Sequence, residues 1–400
     1  MFNVITRVFV LAALIMLSFN SYAAAVEITG DSEPTYTNTG TLTGTPTSIT
    51  FPDLTVINPI IGIYNTGSQN SIINATSGTI NSSAGDYELS YGIISGDIFN
   101  SIPSNSNTIT NSGNIYATTG NDWSSYSSGI LFYGNSNNIT NSGTITLTGD
   151  SGYREGVYSY GDSNTITNSG TITSTGDSGY ANGIISGDTY DPILSNNNTI
   201  TNSGIITASL TDNGMAQGIG STGDSNSLIN SGIITATVGA GGVALGIKSQ
   251  GASNAITNSG TITAASAGDN WRAWGLQSIG DSNTITNSGT IDATVTNGVA
   301  YGIDSQGASN TITNSGNITA SVADNGSAIG ISSTGASNTI TNTGTIITTV
   351  ENDGTAGSIF SNGDSNTLNN SGTFTATAGN SGGDAYGLDS YGSSNTITNS

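Results

Sequence analysis

A motif close to Asn-Thr-Ile-Thr-Asn-Ser-Gly-Thr-Ile-Thr returns through the whole chain, with its turn glycine at positions 78, 113, 143, 170, 204, 232, 260, 289, 316, 344 and 372. Successive spacings are 35, 30, 27, 34, 28, 28, 29, 27, 28 and 28 residues. A repeat of this length is one supersecondary unit that cannot bury its own apolar face, so it must stack on copies of itself. Each period holds three short segments of period-two alternation. The first is Asn-Thr-Ile-Thr, as at Asn283 to Thr286, where Ile285 points one way and both threonines the other. The second follows the Asn-Ser-Gly turn, as at Thr290 to Val295, with Ile291, Ala293 and Val295 on one face. A variable polar loop leads to the third, as at Ala300 to Ser305, and the unit closes before Asn310. Three such strands joined by Gly and Asn corners describe one coil of a parallel β-helix.

The expected fold is therefore all-β: one right-handed parallel β-helix (a β-solenoid) of about 11 to 12 coils of ~28 residues, three short strands per coil, making a rod of roughly 55 Å. Stacked coil on coil, the inward positions form three aliphatic columns, from Ile109 to Ile397, from Ile115 to Phe374 and from Ile130 to Leu388. Each buried side chain of this size contributes ~1.5 to 3 kcal/mol, which offsets much of the ordering entropy of an otherwise polar chain. The turn asparagines, Asn111 through Asn370, would stack into a structural ladder, since an amide both donates and accepts and Asn tolerates left-handed corners. Positive φ is the expected reason for the glycine beside each of them. Two coils, Gly92 to Gly113 and Gly183 to Gly204, each carry seven extra residues at one place, 91 residues apart, and predict two bulges on one side of the rod.

The first 25 residues differ from everything after them. Arg7 precedes an apolar run from Val8 to Phe19 and a small-residue exit near Ala23 or Ala25, the pattern of a signal peptide. The expected division is a signal peptide at 1–25, an N-terminal cap at 26–60 and the repeat region at 61–400. That region stops at Asn395 to Ser400, one residue before its next turn glycine, so further chain is expected to follow. Composition excludes several chemistries. With no His and no Cys there is no Ser-His-Asp or Cys-His system, no thiolate zinc site and no disulfide. Four basic residues against 26 acidic ones, a net charge of -22, would repel a phosphate backbone, so no nucleic-acid partner is expected.

Taken together, the N-terminal signal, the spacing in stretches such as Ile285-Thr-Asn-Ser-Gly-Thr-Ile291 and the lack of cysteine resemble the passenger domains of bacterial autotransporters and related type V secreted surface proteins. The resemblance covers about residue 60 to 400. It implies an adhesin or display scaffold at the cell surface or outer membrane, or secreted from it, as in virulence. The implied partners are a protein or glycan ligand on a host cell, matrix or neighbouring cell, and the chain's own outer-membrane β-barrel translocator downstream. Chain threaded unfolded through a pore could then fold coil by coil on emergence.

Candidate sites are few, and no catalytic residue or cofactor is assigned. Trp123, Tyr126, Trp271, Arg272 and Trp274 fall in the variable loop position and are the ligand-binding candidates, since aromatics beside polar groups stack on sugar rings or anchor protein partners. Asp150 and Asp177 occupy loops that would stack on adjacent coils, which makes them weak calcium candidates without a nonapeptide or EF-hand motif. Asp162, Asp224, Asp281 and Asp364 share one repeat position without falling on consecutive coils, a spacing that dilutes like charge. The alternative to an adhesin is a secreted β-helical carbohydrate-active enzyme, a lyase or hydrolase. A remoter alternative is an ice-binding threonine array built from pairs such as Thr284 and Thr286, Thr311 and Thr313, and Thr339 and Thr341, interrupted at Asn138, Ser227, Ala255 and Asn369.

Overall fold

Every Asn-Thr-Ile-Thr segment pairs in parallel with the same segment one repeat on, so the sequence repeat becomes a stack of strands. The computed structural model describes residues 23–28, 35–43, 48–51, 54–57, 60–85, 88–96, 101, 103–187, 195–239, 241–269, 271–379 and 382–400. Residues 1–22 of the expected signal peptide, and most of both seven-residue bulges, lie outside the described residues.

Three long parallel sheets result. Sheet 1 runs in thirteen strands from Thr35–Asn38 to Thr396–Asn399, sheet 2 in twelve from Thr41–Thr43 to Thr373–Ala378, and sheet 3 in thirteen from Ala23–Ile28 to Asp384–Tyr391. Within each sheet the first strand pairs across the intervening hairpin and every later strand pairs with the strand three places on in sequence, which is the connectivity of a solenoid of about twelve coils, with no helix among the described residues. At one strand spacing per coil the thirteen-strand sheets extend roughly 58 Å. The segment expected as a cap supplies the first strand of sheet 1 and of sheet 2, then an antiparallel hairpin, Ser48–Phe51 with Leu54–Ile57.

The columns are in register: Ile285 pairs with Ile312, Ile291 with Ile318 and Leu276 with Ile303. All six are buried in one continuous core that reaches from Ile28 to Leu368. Only in the last coils does it open, with Phe374 and Leu388 partly covered and Ile397 half exposed. A second core joins Ala208, Ala236 and Ala264 of sheet 2 to Ala216, Ala244 and Ala273 of sheet 3. Alanine facing alanine lets the two backbones approach, which fills the narrow angle where these sheets meet.

The Asn ladder is present and has a direction. Asn258 Nδ2 donates to Asn287 Oδ1 at 2.8 Å, and Asn287 Nδ2 to Asn314 Oδ1 at 2.7 Å, with the same sense from Asn38 to Asn399. A second ladder runs beside it, in which the backbone N–H of Asn283 donates to Asn310 Oδ1 at 2.7 Å and that of Asn310 to Asn338 Oδ1 at 2.7 Å. Two expectations about the corners are corrected. The left-handed residue is not the ladder asparagine but the serine before the second one, Ser282 at φ 61° and Ser309 at φ 60°. Nor does Gly289 have positive φ: a Cβ there would lie 2.1 Å from the carbonyl oxygen of Gly260 in the coil below, so the corner needs glycine for close backbone approach.

Candidate functional site

Sheet 3 differs from the others because a glycine interrupts its alternation. A Cβ at Gly275 would lie 2.1 Å from Ile291 Cγ2, so the strand turns there with no side chain in the way. Ala273 and Leu276 then both face inward and are fully buried, while Arg272, Trp274 and Gln277 share the outer face. The following strands repeat the geometry, and together they line an open groove of about 410 Å³ whose lining includes Trp274, Tyr301, Asp304, Ile329, Phe360 and Tyr386.

Trp274 is only 7% exposed. Its ring lies face to face with Tyr301, centroids 6.0 Å apart at 10°, and the Arg272 guanidinium carbon stands 5.5 Å from its centre. Asp304 organises the polar side. Its Oδ2 accepts from Trp274 Nε1 at 3.2 Å, from Gln277 Nε2 at 3.4 Å and from Gln306 Nε2 at 2.9 Å. Burial raises the pKa of the Tyr301 hydroxyl, the Asp304 charge raises it further and Arg272 opposes them. The Tyr386 hydroxyl is pushed up to about 12, first by burial and then by Asp389. Lys248, in register with Gln277, is lowered by burial.

The sequence candidates separate. Arg272 and Trp274 come together in the groove. They were expected in a loop, as were Tyr126 and Trp271, but all four lie in strands, Tyr126–Tyr133 and Trp271–Ile279, because sheet 3 strands begin several residues before their central glycine. Trp271 alternates away from Arg272 and covers Gly241, with 42% of its surface exposed. Trp123 is 58% exposed, just before the Tyr126 strand. Tyr126 is on the same outer face as the groove but five strands away, roughly 24 Å at one strand spacing each. There its hydroxyl donates to the buried Glu155 carboxylate and its ring packs on Tyr91, centroids 5.6 Å apart. A buried outer cluster of Ile61, Tyr64, Ile94, Leu131 and Tyr158 continues this surface. Missed by the sequence reading were Asp304, Gln277 and Gln306; a carboxylate between two amides on successive third strands was the available signal.

The other acidic residues have structural partners. The loops of Asp150 and Asp177 do stack, with Ser178 N–H donating to the Asp150 carbonyl at 2.8 Å. The positive charge beside them is protein: fully buried Arg154 donates Nη1 to Ser151 O at 2.7 Å and Nη2 to Ser178 O at 2.6 Å. Burial lowers the Arg154 pKa to about 10, and the charges of Asp150 and Asp177 partly oppose the shift. Among the described residues no three His, Cys, Asp or Glu side chains gather into a metal site. Asp162, Asp224, Asp281 and Asp364 each accept a backbone N–H from the next coil at 2.7 Å, from Asn196, Ala252, Ala308 and Ser393. For Asp364 the backbone and hydroxyl bonds of Ser393 hold the carboxyl below its ordinary value.

A family model described as the BigA third pectate lyase-like domain matches residues 18–189. The match covers less than half of the chain and stops short of the groove, although the same three sheets run unbroken through both parts. No curated protein and no solved structure matches the chain. The family description and the observed solenoid agree on a β-helical protein.

Proposed function

We propose that this chain is an exported, surface-displayed β-helical adhesin that works by binding, with the outer face of sheet 3 as its recognition surface. One observation carries the reading: the groove joins an aromatic stack to a carboxylate already held by three N–H donors, an arrangement built to hold a partner in place. Residues 1–25 would direct export, and a β-barrel translocator encoded downstream would carry the rod to the outer membrane. The partner lies on a host cell, a neighbouring cell or the surrounding matrix. Among the described residues Asp304 is the one carboxylate lining the groove, whereas paired-carboxylate hydrolysis needs two, which favours binding over cleavage. The competing reading, a secreted carbohydrate-active enzyme, draws on the pectate lyase-like description of the matched family and on Arg272 at the rim. Adhesion of the purified chain to immobilised cells and matrix tests the proposal. Saturable attachment, reduced by filling the groove with Ile329→Trp, is the expected result. Depolymerisation of pectate or a neutral glycan, lost in Asp304→Asn, would replace adhesin with enzyme.

A further inference from the structure

One outward column of sheet 3 passes through Trp274, Tyr301, Ile329, Gly357 and Tyr386 on five successive strands. Bulk therefore falls away at Ile329 and Gly357 and returns at Tyr386. The Tyr386 ring folds back over Gly357, where an added Cβ would lie 2.2 Å from its Cζ. One wall of the depression is thus the free face of Tyr301, a coil before Ile329, and the other is the hydroxyl end of Tyr386, whose strand lies two coils after Ile329 and whose ring reaches back to the level of Gly357. Two strand spacings leave ~9.6 Å between the levels of Tyr301 and Gly357, room for one ring at ~4.8 Å from Tyr301, within stacking range, with its far edge against Tyr386.

The polar groups narrow the occupant. Asp304 is 5% exposed, and among the described residues its Oδ1 accepts no hydrogen bond while Oδ2 takes three. Gln277 and Gln306 both commit their amide N–H to that carboxylate, which leaves their amide oxygens open. These oxygens are not among the buried unpartnered atoms and face water, so a ligand that displaces that water has to bring O–H or N–H groups to this side. It also has to present an apolar face to Tyr301 and Ile329. Acidic ligands meet Asp304, Asp389 in the same outward column and a net charge of -22. Cationic ones meet Arg272 at the rim, and Asp304 is already partly neutralised by its donors.

On the reading that this face is the recognition surface, we infer that the groove binds an uncharged glycan, with one pyranose ring over Ile329 between Tyr301 and Tyr386 and a sugar hydroxyl donating to Asp304 Oδ1. The C–H face of the ring supplies the apolar contact, and its other hydroxyls meet Gln277, Gln306, Ser332 and Thr334. Linear oligosaccharides of glucose, galactose and mannose, titrated into the full chain and followed by tryptophan fluorescence and calorimetry, test this, with oligogalacturonate and chitosan oligomers as the acidic and basic probes. At least one neutral series should bind saturably, weaken about tenfold or more in Asp304→Asn through loss of a charge-assisted bond, and fail in Ile329→Trp. Thr313→Ala, on sheet 1, should bind as the parent does, and circular dichroism should show all three variants folded. Tighter binding of either charged series, no binding of any neutral one, or unchanged affinity in Ile329→Trp overturns the inference. If the chain still adheres to cells while no neutral sugar binds, the ligand class is wrong and the adhesin reading stands; if sugars bind but adhesion is absent, the adhesin reading falls instead.

Discussion

Replacing Asn287 by Asp puts the ladder to a test with a distinctive signature. Asn287 is fully buried, accepts from Asn258 Nδ2 at 2.8 Å and donates to Asn314 Oδ1 at 2.7 Å. An ionised Asp keeps the first bond and sets oxygen against oxygen in the second. A protonated Asp restores both, because its O–H can donate. The penalty is then capped by the cost of protonation: from an unfolded pKa of about 3.9, holding the proton at pH 7 costs (7 − 3.9) × 1.36, or about 4 kcal/mol. The folded pKa of the new carboxyl is raised, so the penalty is full above it and shrinks by about 1.4 kcal/mol per pH unit as pH falls toward 3.9. Asn287→Ala has no such escape. It strands one donor and one acceptor at about 1 to 3 kcal/mol each, roughly 2 to 6 together, at every pH. Urea unfolding of parent, Asp and Ala chains at pH 7, 5.5 and 4, followed by far-ultraviolet circular dichroism and compared at each pH, separates the two. An Asp chain as stable as the parent at pH 7, or a penalty that grows with acid, would refute a one-directional donor–acceptor ladder.

Three further outcomes follow from the same geometry. Gly289→Ala should lower the melting temperature, at a cost of about 1 to 3 kcal/mol or more for overpacking, while Gly40→Ala should not, since nothing lies within 4 Å of a Cβ there. Burial, and then the Glu155 charge, hold the Tyr91 and Tyr126 hydroxyls above their ordinary pKa of 10.0. The unfolded chain therefore releases these protons first, so the stability they contribute is complete below pH 10 and is lost above it; absorbance at 295 nm should show both ionising only as the fold opens. A calcium chelator should leave the melting temperature unchanged, because Arg154 already supplies positive charge beside Asp150 and Asp177, whereas Arg154→Gln should lose roughly 1 to 3 kcal/mol as the Ser151 and Ser178 carbonyls lose their charged donors.

The solenoid was legible because its core depends on local alternation repeated at one period. Ile285, Ile291 and Ile303 could be placed inward from their neighbours alone, and the register then followed from the repeat. The corners were less so. Whether a glycine serves positive φ or close approach depends on where the next coil's carbonyl lies, and Gly289 shows no local sign of Gly260. The groove was half visible. Trp274 and Arg272 stood out as rare residue types, but the glycine at 275 shifts the outward phase of the strand, and only that shift brings Gln277 and Asp304 beside them. Arg154 was counted as a charge and not recognised as a buried donor, since its partners are loop carbonyls from two coils.

The repeats also allow a comparison of the chain with itself. In sheet 3 the inward column reads Val157, Ile184, Ile219, Ile247, Leu276 and Ile303, aliphatic at every coil. Two residues earlier, but outward because of the intervening glycine, the paired column reads Asn182, Gln217, Leu245, Trp274 and Tyr301 after Glu155, a different side chain each time. On sheet 1 the outward residues of the same coils, Thr165, Thr199, Ser227, Ala255, Thr284 and Thr311, are all small. If solvent exposure alone relaxed a position, sheets 1 and 3 would vary alike on their outer faces. Their difference places on sheet 3 the change between large aromatic, aliphatic and polar side chains in adjacent coils, and that contrast is what a groove needs.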